Sequence, residues 1–377
     1  MDKNADVIVI GSGIVGCAAA YYMVQKGLKV LVLERGNIGD GASSRNGAGV
    51  RLSGREEREF RFAKDAIFNI WPTLSEELDA DLEYSRVGGL ALAQNESQMQ
   101  SLKKGIVRAQ EQGIEIHLLS GDEARKLCPY LSEEVNLASY CPINGVANPM
   151  TSTLAYYRKA RNMGVHFITG EEAVEIQKDR GRARKVVTRS GNVYEAQKII
   201  LAAGFESRVI VNTVGIDFPM LKRIDECIIT EVQPKMFPYR LSTADGNFYG
   251  HQTAHGSFIF GGNTGMERYV NTYAENPRCT TMAAADKSRA VMKYIPALKD
   301  AKIVRQWAGW LDSTIDRLPV IQEIPEVPDL ICAFGFSGHG FAIGPSVGRV
   351  LSEMAAGETP SIDISGLNYD RFKALGC

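Results

Sequence analysis

Four residues near the start of the chain, Gly11, Gly13, Gly16 and Glu34, have the types and spacing to hold a dinucleotide. In Gly11-Ser12-Gly13-Ile14-Val15-Gly16, Gly11 permits a tight turn, Gly13 lets backbone approach a pyrophosphate, and Gly16 lets a helix pack closely on a strand. The N-terminus of that helix offers exposed N–H groups and the positive end of its dipole to a diphosphate. Glu34 follows Gly16 by 18 residues, near the separation at which a carboxylate accepts hydrogen bonds from ribose hydroxyls. FAD and NAD satisfy this signature equally.

A second chemically dense stretch runs from Gly39 to Arg51 and includes Ser43, Ser44, Arg45, Asn46, Gly47 and Gly49. Its glycine and hydroxyl content excludes a core helix and indicates a loop that approaches a ligand closely. Further along stand Tyr249, His251, His255 and His339, the side chains with groups for proton transfer or polar recognition. His251 and His255 have the spacing of a helical metal pair, but Gly250 and Gly256 break any helix there, so no metal site is expected.

The elements that position these residues follow from apolar patterning. Ala5 to Ile10 reads as a buried strand, Cys17 to Met23 as a helix, and Lys29 to Leu33 as a second strand ending at Glu34. An amphipathic helix is expected from Glu56 to Leu82, another helix and a short strand (Glu115 to Leu119) within 97–128, a helix from Ser152 to Asn162 and a strand from Val165 to Thr169. Ala173 to Lys178, Lys185 to Thr188 and Asn192 to Ala196 form a small antiparallel set feeding the apolar strand that ends in Ala203-Gly204. Short strands dominate 215–310, which fits an inserted antiparallel sheet. Leu330 to Phe336 then repeats the opening pattern: strand, glycine turn Ser337-Gly338-His339-Gly340, and a helix from about Pro345 to Gly357. The expected fold is α/β, a Rossmann-type nucleotide-binding domain (1–80, 141–214 and 320–377) carrying an inserted α+β substrate domain (81–140 and 215–319).

Composition bounds the rest. A 377-residue chain with 45% apolar and 23% charged residues suits two ordinary globular domains. A net charge of −1 with mixed signs argues against a nucleic-acid or anionic-membrane surface. No apolar run reaches membrane-spanning length and no signal peptide is recognisable, so a cytoplasmic location is expected. The seven cysteines, at 17, 128, 141, 227, 279, 332 and 377, are scattered without a Cys-x-x-Cys pair, which argues for reduced, mostly buried thiols, Cys377 being the exposed exception.

Taken together, Gly11 to Gly16 with Glu34-Arg35, the loop Gly41 to Gly47, Ile200 to Gly204, Trp307-Ala308-Gly309 with Thr314 to Pro319, and Phe336 to Phe341 resemble the flavin-dependent amine and amino-acid oxidoreductase family that includes D-amino acid oxidase, glycine oxidase and sarcosine oxidase. The resemblance spans nearly the whole chain and implies FAD. It further implies Glu34 and Arg35 near the adenosine, and Ser43, Ser44, Arg45, Asn46, Gly47 and Gly49 near the pyrophosphate and flavin. Val174, Ala203 and Gly204 are implied as additional cofactor contacts, with Gly338, His339, Gly340, Phe341, Ala342 and Ile343 at the pyrimidine edge of the flavin. Oriented donors at that edge favour the electron-rich reduced ring. The implied reaction takes hydride from the carbon beside an amine, and Arg51, Tyr249, His251 and His339 are the candidates for binding or proton handling.

Two departures refine the expectation. Where glycine oxidase and its relatives carry a carboxylate-anchoring arginine two residues after the glycine matching Gly309, this chain has Leu311, which leaves Arg51 as the substitute anchor. Where monomeric sarcosine oxidase has a lysine that assists oxygen, Ile259 stands, and the flavin-tethering cysteine near Trp307 to Leu311 is missing. These features resemble the catalytic beta subunits of heteromeric enzymes acting on sarcosine, proline, hydroxyproline or opines. They imply noncovalent FAD, a small amine or amino-acid substrate and a second subunit that carries electrons onward. A stand-alone D-amino-acid or glycine-type oxidase and a non-catalytic FAD-binding subunit are the alternatives. An NAD-dependent dehydrogenase accounts only for the first forty residues.

Overall fold

A computed structural model describes residues 4–262, 269–270 and 277–375. Cys377 lies outside them.

The opening segment folds as its pattern requires. Strand Asn4–Ile10 is flanked in parallel by Val30–Glu34 and Val193–Leu201, and the order across the sheet is Val320–Glu323, Leu330–Phe334, Val193–Leu201, Asn4–Ile10, Val30–Glu34, His166–Thr169. Only the Val320–Glu323 pairing with Leu330–Phe334 on this path is antiparallel. The strands expected separately at Asn192 to Ala196 and from Lys198 onward are one strand, Val193–Leu201, and the hairpin Ala173–Asp179/Arg182–Thr188 pairs with its first half. Unbroken burial from Ile199 to Leu201 marks a sheet covered on both faces.

Helix Ile14–Gln25 lies on this sheet, fully buried through Met23. Against it packs Gly340–Ala355, and the approach is close because both helices present small residues: a Cβ on Gly344 would sit 2.8 Å from Ile14 Cγ2, and one on Gly348 would sit 2.6 Å from Ala18 Cβ. Each of these helices starts directly after a glycine turn at the C-terminal end of a parallel strand, where open α/β sheets bind ligands. Gly340–Ala355 begins five residues before the expected start at Pro345; the proline is tolerated inside the helix at the cost of one backbone hydrogen bond to Phe341 O.

The single helix expected over Glu56 to Leu82 is broken. Glu57–Asp65 is α-helical, Ala66–Ile70 widens into a π turn closed by Trp71 N donating to Ala66 O at 2.8 Å, and a short helix Leu74–Glu77 follows Pro72. The widening seats the Trp71 indole, whose Nε1 donates to Ala342 O at 2.8 Å. Pro149–Asn162 starts three residues earlier than expected, capped by the Asn148 side chain with Pro149 in the first turn.

Among the described residues the second sheet has nine strands, and its spine is a long antiparallel pair, Met220–Val232 with Ile303–Thr314. It continues through Ser257–Gly261, Tyr249–Gln252 and Arg240–Thr243 to Gly89–Ala93, Leu137–Cys141 and His117–Ser120. The expected purely antiparallel sheet is mixed, because Arg240–Thr243 runs parallel to Gly89–Ala93. Strand Ile303–Thr314 ends next to the second glycine turn, where Ser313 bridges Phe336. Cys17, Cys128, Cys141, Cys227 and Cys332 are buried and Cys279 is exposed. Among the described residues no helix is long and apolar enough to cross a membrane.

Candidate active site

The first glycine turn is shaped by close approach. Gly11 has φ +101°, and a Cβ on it would lie 2.6 Å from Ala202 O of the neighbouring strand. A Cβ on Gly16 would lie 2.0 Å from Gly11 O, so neither position admits a side chain. Gly13 caps the helix, and Ser43 Oγ, reached from the long polar loop, accepts from Ile14 N at 2.9 Å. Glu34 is held by three donors: Ser12 N at 2.9 Å, Ser12 Oγ at 2.7 Å and Gly36 N at 2.8 Å. Arg35 points to Glu206 at 3.0 Å, and Ala203 N donates to Ser207 Oγ ahead of Gly204 at φ +58°. Val174 lies half-buried in the hairpin strand Ala173–Asp179.

The polar loop crosses from this turn to the second sheet. Arg45 donates to Asp40 and to Ala308 O, while its own carbonyl accepts from Trp307 Nε1 at 3.0 Å. Asn46 folds the turn through Ser43 O and Ala48 N. Gly47 and Gly49 lie directly on side chains of the second sheet: a Cβ on Gly47 would meet Tyr249 Cε2 at 2.4 Å, and one on Gly49 would meet Arg240 Nε at 2.7 Å. Ser44 Oγ is buried without a hydrogen-bond partner, an orphaned polar atom inside the loop.

The second glycine turn is pinned by Asp312, whose carboxylate accepts from Gly335 N at 2.7 Å and whose carbonyl accepts from Ser337 N at 2.9 Å. Burial pushes this carboxyl up to about 6. Gly338, at φ +90°, leaves just enough room for Leu311, whose Cδ1 stands 3.3 Å from the Cβ position. His339, the helix N-cap, and Gly340 follow, with Phe341, Ala342 and Ile343 buried in the first turn of the helix.

Between these turns and the second sheet lies a cavity of about 410 Å³, lined by Arg51, Tyr249 and His339 among the expected residues. His251 is not with them: it lines a neighbouring cavity of about 570 Å³ with Ser44, Ile259 and Trp307, and Asn46 faces both. His339 has both ring nitrogens engaged, Nδ1 at 2.9 Å from Glu59 Oε2 and Nε2 at 2.9 Å from Arg51 Nη2. Arginine only donates, so Nε2 accepts, Nδ1 carries the hydrogen and the ring is neutral. Burial holds it down to about 4 despite Glu59. It therefore serves as a strut between Glu59 and Arg51, with no nitrogen free for proton transfer. Tyr249 is a buried phenol held well above its usual range by burial and Asp225, so it stays protonated at neutral pH. Burial, with Arg240 nearby, likewise lowers His251 to about 4.

Arg51 is less free than expected, since Nη1 donates to Ser53 O at 2.6 Å and Gly54 O at 3.2 Å and Nη2 faces His339. Burial and its neighbours Arg55 and Arg240 push it down to about 9, still protonated at neutral pH. The cavity also holds four residues that sequence reasoning missed: Arg55, paired with Glu59 at 2.5 Å, and Arg223, Asp225 and Arg240 on the second sheet. Arg240 and Arg223 each have a buried Nε without a hydrogen-bond partner. The only signal for them was strand alternation, which does not say which face turns inward until the sheet is placed.

Residues 6–354 match the family described as FAD dependent oxidoreductase. The chain is 26% identical over 379 residues to the sarcosine oxidase subunit beta of Arthrobacter sp, covering 98% of this chain and 92% of that one. Among solved structures it is similar to L-proline dehydrogenase from P. horikoshii (28% identity, TM-score 0.89, 99% of both chains covered). It also shares the fold of glycine oxidase from Geobacillus kaustophilus (20% identity, TM-score 0.91, 98% of this chain and 99% of that one).

Proposed function

Because the chain belongs to the FAD-dependent oxidoreductase family, binding FAD and oxidising CH–NH donors, we propose that its substrate is a secondary-amine amino acid of the sarcosine, proline, hydroxyproline or opine class and that it works as a dehydrogenase with noncovalent FAD. The observation that carries this reading is the arginine-lined cavity beside the Gly338 turn. The residues of the first turn fit the cofactor: two glycine positions closed to any Cβ, a helix N-terminus for the diphosphate, Glu34 for a ribose and the orphaned Ser44 Oγ. When bound, FAD supplies the two-electron acceptor for hydride from the carbon bearing the amine.

The chain's own groups do the remaining work. Arginines of the cavity hold the substrate carboxylate, and the clustered positive charge favours the neutral over the protonated amine, the form that reacts. Loss of hydride from the carbon of the neutral amine leaves an iminium ion, its nitrogen proton is released to water, and water hydrolyses the imine to a carbonyl group and an amine. Tyr249 and His339 do not exchange protons in this scheme: the phenol stays protonated and packs on Gly47, and the imidazole stays neutral and braces Arg51. His339, Phe341 and Ala342 at the start of Gly340–Ala355 line the cavity, which brings the positive end of the helix dipole to it.

Leu311 and Ile259 support a dehydrogenase working with a second subunit over a stand-alone oxidase. Leu311 packs on Gly338 in place of an arginine, and Ile259 contributes an apolar side chain to the larger cavity. The test is turnover of sarcosine and proline with an artificial electron acceptor against turnover in air alone. Faster acceptor-dependent turnover, by about tenfold or more, is the expected outcome, a difference of about 1.4 kcal/mol in barrier. Equal rates in air would make the chain an oxidase.

A further inference from the structure

Among the described residues, arginine side chains in the 410 Å³ cavity outnumber the carboxylates beside them. Arg51, Arg55, Arg223 and Arg240 face two carboxylates, Glu59 and Asp225, while Arg317 stands exposed at the rim. Glu59 is committed to Arg55 at 2.5 Å and to His339 at 2.9 Å. Among the described residues no ion pair joins Arg51, Arg223 or Arg240 to a carboxylate; Arg51 is tied to the carbonyls of Ser53 and Gly54, whereas Arg240, only 8% exposed, and the half-buried Arg223 each bury an Nε that meets no acceptor. Arg240 has instead the face of Tyr249, its Cζ 5.4 Å from the ring centroid. A buried guanidinium without an anion is costly, so the cavity is built for an anionic occupant. The FAD diphosphate belongs at the other glycine turn, beside Gly13, and does not supply it.

Resting on the amine-oxidation reading above, we infer that the substrate of this chain carries two carboxylates, one held by Arg240 and the other by Arg223. An amino acid with a second carboxylate on its side chain or its nitrogen substituent has a charge of −2 once its amine is neutral, one carboxylate for each of the two arginines whose Nε meets no acceptor. The arrangement also explains the glycine at position 49, where any side chain would strike Arg240 Nε, 2.7 Å from its Cβ. A single-carboxylate amine leaves one of the two buried Nε groups without an acceptor.

The test compares substrates that differ only in the second carboxylate: iminodiacetate with sarcosine, and N-methylglutamate with N-methylglutamine. A charge-assisted hydrogen bond contributes about 1.5–3 kcal/mol, so kcat/KM for the dicarboxylate of at least one pair is expected to be higher by about tenfold to a hundredfold. Arg240→Gln and Arg223→Gln, checked for full flavin content, should each collapse that ratio toward one. In parallel, glutarate and butyrate, which do not react, are titrated against the flavin absorption, and glutarate is expected to bind about tenfold tighter in the parent chain alone. Monocarboxylates used as well as dicarboxylates in both pairs, or ratios unmoved by both variants, would overturn the inference and leave amine oxidation standing. If no amine reduces the flavin but glutarate keeps its advantage, the dicarboxylate site stands and the amine reading fails.

Discussion

Replacing Glu59 by glutamine tests the polar cluster that braces the cavity. Glu59 and Arg55 are 1% and 2% exposed, form an i,i+4 pair at 2.5 Å, and extend through His339 to Arg51. Removing the negative charge leaves Arg55 buried without a counter-charge, a change that costs about 3–5 kcal/mol in buried pairs. Glutamine keeps one acceptor, so the lower end applies. Linkage gives a similar size: the Arg55 and His339 neighbours hold the Glu59 carboxyl down at about 2 against an ordinary 4.5, even though burial alone would raise it. That difference corresponds to about 3 kcal/mol. With about 2.1 cal/mol/K of unfolding entropy per residue, the whole chain unfolding cooperatively loses roughly 4 °C in Tm for this change. The sign follows from the depressed value: the stabilisation is complete above about pH 4.5 and is lost as pH falls through about 2. Thermal melts of parent and Glu59→Gln at pH 7 and again near pH 3 should therefore show the gap shrinking with acid. A Tm at pH 7 within about 1 °C of the parent would refute the reasoning, because no buried charge would then have been stranded.

Gly13→Val should yield protein without flavin absorbance, since even a Cβ there would stand 2.9 Å from Ser43 Oγ; retained absorbance would place the diphosphate elsewhere. His251, neutral when folded at about 4, takes up a proton on unfolding between pH 6.5 and 4, so acid destabilises the parent through this window. His251→Gln should lose about 2 kcal/mol less stability than the parent between pH 7 and 5, read by urea denaturation, and an unchanged loss would exclude a buried neutral imidazole. Ile259→Lys puts a fixed charge into the larger cavity and should speed reoxidation of reduced flavin in air by about tenfold or more, measured by stopped-flow absorbance. No acceleration would separate Ile259 from the cofactor's reactive face.

Both glycine turns were legible in the sequence because backbone geometry demands glycine there: Gly11 and Gly338 have positive φ, and Gly16 has no room for a Cβ. The strands on either side of Asn4–Ile10 were recognisable from apolar runs that only a sheet covered on both sides buries, whereas their order came from the structure. The broken helix after Glu56 was harder, since the apolar spacing continues across a π turn whose cause is a distant contact, Trp71 with Ala342. The cavity's polar partners were the least readable. Glu59 sits in a run of charged residues that reads as a solvated helix face, and Arg240 in a short alternating strand; both are buried only because the second sheet is laid against the polar loop. His339 was visible as a residue, but its neutral, bridging state depends on Glu59 and Arg51, which lie 280 and 288 positions away.

Whether bound FAD oxidises an amino-acid amine is read by anaerobic mixing of the purified flavoprotein with sarcosine, L- and D-proline, hydroxyproline, opines and D-amino acids. Bleaching of the flavin absorption by secondary-amine amino acids, with slow recovery when air is admitted, is the predicted result. A flavin that remains oxidised in the presence of every amine would mean that this chain does not oxidise amino-acid amines.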